Sequence, residues 1–354
     1  MIFERKRLFP LDNSGYDRNR IPGMIVTKKG TIIVYNEARQ GRSDWSMMDV
    51  FAIRSLDGGK TWSQPIVLAR GSEKYNVVGN PVMVEDRKGV IHFIHHEQYV
   101  IQGGRLLHRT SVDDGVTWSE PEDITYATLP EYRNVFAVGP GHGILNAKGE
   151  MIFPVWFVPK YKNVPIEAHG PSALSTLYSA DDGKTWNLGQ IIDDGEGTPS
   201  PNEAEFALTS DGRVMVNARV VYQHRAIGYS DTGYSGWTGF TPREDLPDAI
   251  CFGSVISFKY QGKTVLVTAN CVSTGGDKTK NCKRDDIRVR VSLDDGVTWS
   301  PGKVINGGIP YEYEWGGYVD LAYDETRNLV YALFEADLGK TDYFVVFDLE
   351  YLLS

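Results

Sequence analysis

The sequence predicts an all-β chain folded as a six-bladed β-propeller with four-stranded antiparallel blades. Three observations carry this. An octapeptide of the form S-x-D-x-G-x-T-W occurs at Ser55–Trp62, Ser111–Trp118, Ser179–Trp186 and Ser292–Trp299. A degenerate copy, Ser230–Trp237, stands one residue out of register in the widest gap, so a period of about 59 residues divides the 354-residue chain into six. Between the copies run short stretches rich in Val, Ile, Phe and Tyr, punctuated by Gly, Asp and Asn, with no long segment of helical periodicity. Radial repetition of small sheets leaves only short, protected edges, and it suits this pattern.

The elements follow in order. Thr31–Tyr35, Val50–Arg54, Val90–Ile94 and Val214–Val216 read as strands. The octapeptide reads as a hairpin turn. Asp57 can accept from backbone N–H groups ahead of it, Gly59 can take positive φ, Thr61 re-enters a strand, and Trp62 is a large apolar plate for packing between sheets. One substrate site does not need four copies of a ligand motif, so the repeats are expected to staple the scaffold on outer turns. The N-terminal strands and the last run, Thr341–Leu353, should close the ring. The whole chain, 1–354, reads as one catalytic domain.

Composition excludes several function classes. The net charge of −9 argues against nucleic acid as partner, because phosphate binding needs a basic surface. An acidic chain that binds an anion must gather its arginines in one place. No apolar run reaches membrane-spanning length, and the first residues contain no apolar signal-like core. Cytoplasmic location is expected if Met1 is the native start, and a secreted or periplasmic one if a leader was removed. Cys251, Cys271 and Cys282 form no disulfide framework and no zinc pair, and free thiols are expected. The histidines have no metal spacing; His95 and His96 are adjacent and would face opposite sides of a strand. No phosphate- or dinucleotide-binding loop is visible. No cofactor, no metal and a monomer are expected.

The non-repeating residues carry the chemistry. The octapeptide is the Asp-box of sialidases and related proteins, and the chain resembles that family across roughly residues 18 to 335 in an ordered set of motifs. These are Arg20-Ile-Pro22, Asn36-Glu-Ala-Arg39, Gly79-Asn-Pro81 with Asp86, Gly139–Ile144, Asn202-Glu-Ala204 with Asp211–Arg219, Cys251–Ser254, Tyr318-Val-Asp-Leu321 and Leu333-Phe-Glu335. Such a family implies terminal sialic acid on a glycan as substrate. Sialic acid carries a carboxylate on its anomeric carbon, and planar arginines suit that anion. The resemblance implies Arg20, Arg219 and Arg284 as the clamp; Arg288 and Arg290 compete for the third place.

A carboxylate nucleophile would approach that carbon against like charge, whereas a neutral phenol with a base beside it would not. Tyr318 is the implied nucleophile, with Tyr311 and Tyr313 nearby in sequence, and Val319 replaces the family's serine. Glu203 is the candidate base and Glu205, on the same strand face, the alternative. Asp44 is the candidate acid, needing a raised pKa, and Asp49 its alternative. By resemblance alone, Glu335 would orient Arg20, Arg39 would lie near O4 of the sugar, and Asp86 near its N-acyl side. The implied activity is retaining exo-α-sialidase. Alternatives are an exo-glycosidase or intramolecular trans-sialidase acting on another nonulosonic acid, or a non-catalytic sugar-binding propeller.

Overall fold

A computed structural model describes the chain except residues 9–14, 102–103, 131–133, 166–167, 193–199, 273–283, 285 and 310–316. Cys282, Tyr311 and Tyr313 lie outside the described residues. Six small sheets surround an axis as a six-bladed propeller, each built by consecutive antiparallel strands. Blade I runs from Arg18–Val26 through Ile32–Arg39 and Met48–Ser55 to Ile66–Arg70. Blades II to V begin on the inner strands Val78–Glu85, Val135–Val138, Ala204–Leu208 and Ser254–Tyr260. Blade VI comprises Val319–Asp324, Leu329–Ala336 and Thr341–Phe347, and its outermost strand is the N-terminal Phe3–Leu8. The two ends of the chain therefore close the ring in one sheet, with Phe3 opposite Phe347 and Leu8 opposite Asp342. The final run is not all strand: Leu349–Leu353 turns into a helix capped by the Asp348 carboxylate, which accepts from Tyr351 N. No described helix is long and apolar enough to cross a membrane.

Blades II and III depart from the simple pattern. After the inner strand of blade III, Gly141–His142 returns to pair in parallel with Val82–Met83 of blade II. This carries His142 to the axis.

The four Asp-boxes share one hydrogen-bond pattern in turns between third and outermost strands. In the first, Ser55 Oγ accepts from Gly59 N at 2.8 Å, Asp57 Oδ1 accepts from Lys60 N and Thr61 N at 3.0 and 2.9 Å, and Thr61 Oγ1 donates to Asp57 Oδ2 at 2.7 Å. The fourth position is left-handed as well as the glycine after it: Asp114, Asp182 and Asp295 have φ of 64°, 59° and 59°. Asp tolerates that region because its short polar side chain bonds locally. Here the side chain instead reaches the preceding blade. Thr31 Oγ1 and Arg54 donate to Asp114, Lys88 Nζ to Asp182 at 2.6 Å, and Ser210 N to Asp295 at 2.7 Å. In the first box that position is Gly58, and Arg327 of blade VI donates to Leu56 O at 2.9 Å instead. The tryptophans pack on blade interiors, Trp62 edge-on to Phe344 at 5.2 Å and Trp118 to Phe93 at 5.7 Å. The repeats are thus inter-blade staples, and the degenerate copy keeps the role, with Asn146 Nδ2 and Thr176 Oγ1 of blade III donating to Thr232 O at 2.9 Å and Gly233 O at 2.7 Å.

Candidate active site

At one mouth of the channel lies a cleft of about 360 Å³, lined by residues from the strands or loops of all six blades. Its floor is Tyr318, which immediately precedes the inner strand of blade VI. The Tyr318 hydroxyl donates to Glu203 Oε1 at 2.6 Å. Glu203 immediately precedes the inner strand of blade IV, so the two groups meet across the axis from equivalent positions. Arg219 Nη1 donates both to Glu203 Oε2 at 2.6 Å and to the Tyr318 oxygen at 3.1 Å. Burial pushes the Tyr318 phenol well above its ordinary pKa, and the Glu203 carboxylate adds to this, while Arg219 and Arg284 oppose it. The resting phenol is therefore neutral and already hydrogen-bonded to the Glu203 carboxyl group.

Three guanidinium groups surround that phenol. Arg20 and Arg284 lie over its ring at 5.0 and 5.7 Å, and Arg219 touches its oxygen. Arg20 is held by Glu335, whose Oε1 accepts from Arg20 Nε and from Ile21 N, both at 2.8 Å. A bulge lies here: the register with the second strand slips between Arg20 and Gly23, and Ile21 is left-handed at φ 58°. A β-branched residue rarely adopts this conformation. The bulge turns the Ile21 N–H towards Glu335 and aims Arg20 at the cleft. Of the competitors for the third arginine, Arg288 bonds Asp286 at 2.8 Å and Arg290 bonds Asn270 at 3.0 Å, and neither lines the cleft; Arg284 does.

Beneath this layer runs a second one. Glu205 and Asp320 lie two residues beyond Glu203 and Tyr318 on the same strands. Ser254 Oγ sits between them, 2.5 Å from Glu205 Oε2 and 2.9 Å from Asp320 Oδ1. His142 Nδ1 is 2.9 Å from Asp320 Oδ1 and 3.2 Å from Glu205 Oε1. Burial lifts the Glu205 carboxyl, helped by Asp320 and opposed by His142, to about 7. Glu205, the alternative base, is thus a bolt between inner strands and lies outside the cleft. His142, Glu205 and Asp320 form a grouping of metal-ligand type. Their donor atoms are already joined to one another and to backbone N–H groups of His142, Val255, Met24 and Leu321, which fits hydrogen-bonded cross-linking. Besides Glu203, Tyr318 is held by Arg219 Nη1 on its oxygen and by Glu335, whose backbone N–H donates to Tyr318 O at 3.0 Å.

Three of the expected site residues have partners that the sequence does not announce. Asp44 does line the cleft, but Arg39 Nη1 donates to its Oδ1 at 2.5 Å. Burial raises the Asp44 carboxyl, yet Arg39 and then Arg20 outweigh burial and hold it below the ordinary value. It is an ion-paired carboxylate here, not a protonated acid. Arg39 is fully buried against Glu37 and Asp44, with Nη2 donating to Glu37 Oε2 at 2.6 Å, and it stands behind the cleft wall instead of lining it. Asp86 lies in the turn after the inner strand of blade II, where Oδ1 accepts from Lys88 N at 2.8 Å and Val90 N at 2.9 Å. It is a turn residue away from the cleft. Asp49, the alternative acid, is bonded to Tyr16, Arg70 and Gly71 N and does not line the cleft.

The sequence reading missed the cleft's aromatic wall. Tyr99, Trp156 and His169 line it, with ring centroids 5.4 Å apart for Tyr99–His169 and 5.6 Å for Trp156–His169. Gln98, Tyr99 and Val100 are consecutively left-handed, with φ of 51°, 46° and 53°, a strained turn that presents the Tyr99 ring. Asn80, inside the quoted Gly-Asn-Pro, also lines the cleft; it is left-handed at φ 46° and donates its N–H to Glu37 at 2.7 Å. Its place beside Pro81 was the available signal.

A family model described as a BNR repeat-like domain matches residues 48–320. The chain is 30% identical over 313 residues to a sialidase of Bacteroides fragilis, covering 80% of this chain and 54% of that protein. It is 26% identical over 343 residues to an exo-alpha-sialidase of Arthroderma benhamiae, covering 87% of this chain and 75% of that protein. The solved Hadza microbial sialidase Hz136 superposes with a TM-score of 0.80 at 24% identity, covering 96% of this chain and 67% of that chain. The chain thus spans about half the length of the Bacteroides relative. With the repeated staples, the six blades and the family match over most of its length, the chain belongs to the BNR-repeat sialidase family.

Proposed function

We propose that this chain is an exo-α-sialidase that hydrolyses terminal α-linked sialic acid from glycans with retention of configuration, residues 1–354 forming the catalytic domain. The observation that carries the reading is the 2.6 Å contact between Tyr318 and Glu203 inside a ring of three arginines. A sugar-binding propeller needs the arginines but has no use for a base held against a buried phenol.

In this reading Arg20, Arg219 and Arg284 hold the substrate carboxylate by charge-assisted hydrogen bonds. The Tyr318 oxygen attacks the anomeric carbon while its proton passes to Glu203. The bond to the leaving oxygen breaks, and Asp44 supplies the proton to that oxygen. Water then attacks the glycosyl–tyrosine, Asp44 accepting its proton, and the phenol recovers its proton from Glu203. Two displacements restore the α-anomer. Asp44 must leave Arg39 and take up a proton to serve; substrate that covers the cleft and displaces water favours the neutral acid. Arg39 acts by poising Asp44, and the aromatic wall offers an apolar surface to the bound sugar.

The test is turnover of a fluorogenic sialoside, followed by proton NMR of the first-released anomer. Trapping with a 3-fluorosialyl fluoride should add the sugar's mass to the peptide bearing Tyr318. No turnover would reject the enzyme reading, and first release of the β-anomer would reject double displacement.

A further inference from the structure

One layer behind the Arg20–Glu335 ion pair, two buried polar side chains meet at the junction of blades I and VI. Asp342 is directly opposite Glu335 in strand pairing. Asp342 and Asn36 are 0% and 1% exposed. Asn36 Nδ2 donates to Asp342 Oδ2 at 2.9 Å. The other oxygen of each side chain, Asn36 Oδ1 and Asp342 Oδ1, is buried with no hydrogen-bond partner among the described residues. An ionised carboxylate and an amide carbonyl can only accept, so both would remain unsatisfied and carry the full desolvation penalty. One proton on the carboxyl would resolve both: its O–H would donate to Asn36 Oδ1 while Asn36 Nδ2 donates to Asp342 Oδ2, closing a cyclic acid–amide pair.

We propose that Asp342 is a neutral carboxylic acid at neutral pH, paired with Asn36, and that it is a positioning residue for the arginine clamp. The titratable groups facing it are Glu335 on the adjacent strand and Arg20 from blade I. An ionised Asp342 would place a second negative charge beside Glu335 and draw the Arg20 guanidinium back from the cleft. Kept neutral, it leaves Glu335 as the partner that orients Arg20. Burial pushes the Asp342 carboxyl up to about 8, with Glu335 adding and the Asn36 bond and Arg20 opposing. The effect on substrate rests on the sialidase reading; the protonation state does not.

Asp342→Asn tests it, because a carboxamide reproduces the neutral shape and both hydrogen bonds. A carboxyl raised on folding stabilises the fold fully below its unfolded value of ~3.9, and that contribution is lost as pH rises through the folded value. The variant should therefore melt at or above wild type at pH 7. Its advantage should widen between pH 5 and pH 8 and then level off. Infrared spectra of protein labelled with ¹³C at aspartate carboxyls should show a protonated-acid band at pH 7 that the variant lacks. A variant less stable than wild type by a margin independent of pH, with no such band, overturns the proposal. Should the variant not fold, the labelled wild-type band alone decides, its absence at pH 7 being fatal. For the clamp, wild-type Kd for a sialic acid analogue should rise several-fold from pH 7 to pH 9 and stay flat in the variant. Equal pH profiles would overturn the positioning role. Absence of any binding would count against the sialidase reading and leave the melting and infrared results to decide Asp342.

Discussion

Replacing Glu203 by Gln isolates the proposed base. Gln keeps the side chain's shape and can still accept from the Tyr318 hydroxyl, now 2.6 Å from Glu203 Oε1, but it cannot take the proton. Ionising an ordinary tyrosine at pH 7 costs about 4 kcal/mol, from about three pH units at 1.36 kcal/mol each. Burial and the neighbouring carboxylate push Tyr318 higher still, and Glu203 offsets this by accepting the proton during attack. Loss of the base should therefore lower kcat roughly 10³-fold, within the range of about 10²–10⁴ for general-base catalysis. Binding should move the other way. Arg219, whose Nη1 spends one contact on Glu203 Oε2 at 2.6 Å, loses its counter-charge and turns to the substrate carboxylate. Steady-state kinetics should show the fall in kcat equally for aryl and natural sialosides, since the base serves the nucleophile and not the leaving group. Calorimetry with a non-hydrolysed analogue should give a Kd unchanged or lower. A loss in kcat under tenfold, or a defect confined to KM, would refute the assignment.

Further outcomes test the rest of the site and the scaffold. Arg284→Ala should weaken analogue binding by on the order of 2–5 kcal/mol, the usual penalty for truncating a desolvated charge pair, while Arg288→Ala leaves Kd within about twofold; calorimetry on both checks this. Asp44→Ala should cut kcat/KM on natural sialosides at least tenfold more than on aryl sialosides, whose phenolic leaving groups need little acid; equal losses would remove Asp44 as the acid. The Asp-box carboxylates are held down by Ser and Thr hydroxyls and backbone N–H groups, Asp113 to about 2. Depressed carboxyls stabilise the fold above their unfolded value and lose that contribution as pH falls through the folded one. Melting temperature should thus drop steeply between about pH 4 and pH 2, and Asp113→Asn should flatten part of that limb without changing kcat at neutral pH.

The repeat and its turn chemistry were legible in the chain because they are local, and the period of the repeat implied a ring that the two ends must close. Ser, Asp, Gly and Thr at fixed offsets bond one another within a single turn, and the apolar runs need only alternate to form strands. Arg20, Arg219, Glu203 and Tyr318 were legible because each stands within a run of other distinctive residues. What the sequence could not decide depends on which side chains the fold brings together, within a turn or between blades. Asp44 resembles a free loop acid until Arg39, five residues earlier, folds back and pairs with it. Asp86 reads like a cleft residue until the turn after Glu85 draws its Oδ1 onto the Lys88 and Val90 N–H groups. The bolt of Glu205, Ser254, Asp320 and His142 gathers residues from four separate stretches, and His142 arrives through a parallel strand that no local pattern announces. Asn36 and Asp342 lie more than three hundred residues apart and meet only because the two ends of the chain share blade VI, next to blade I. Charges and protons respond to what lies within a few ångströms, and in a closed ring those neighbours are set by the packing of inner strands around the axis, not by distance along the chain.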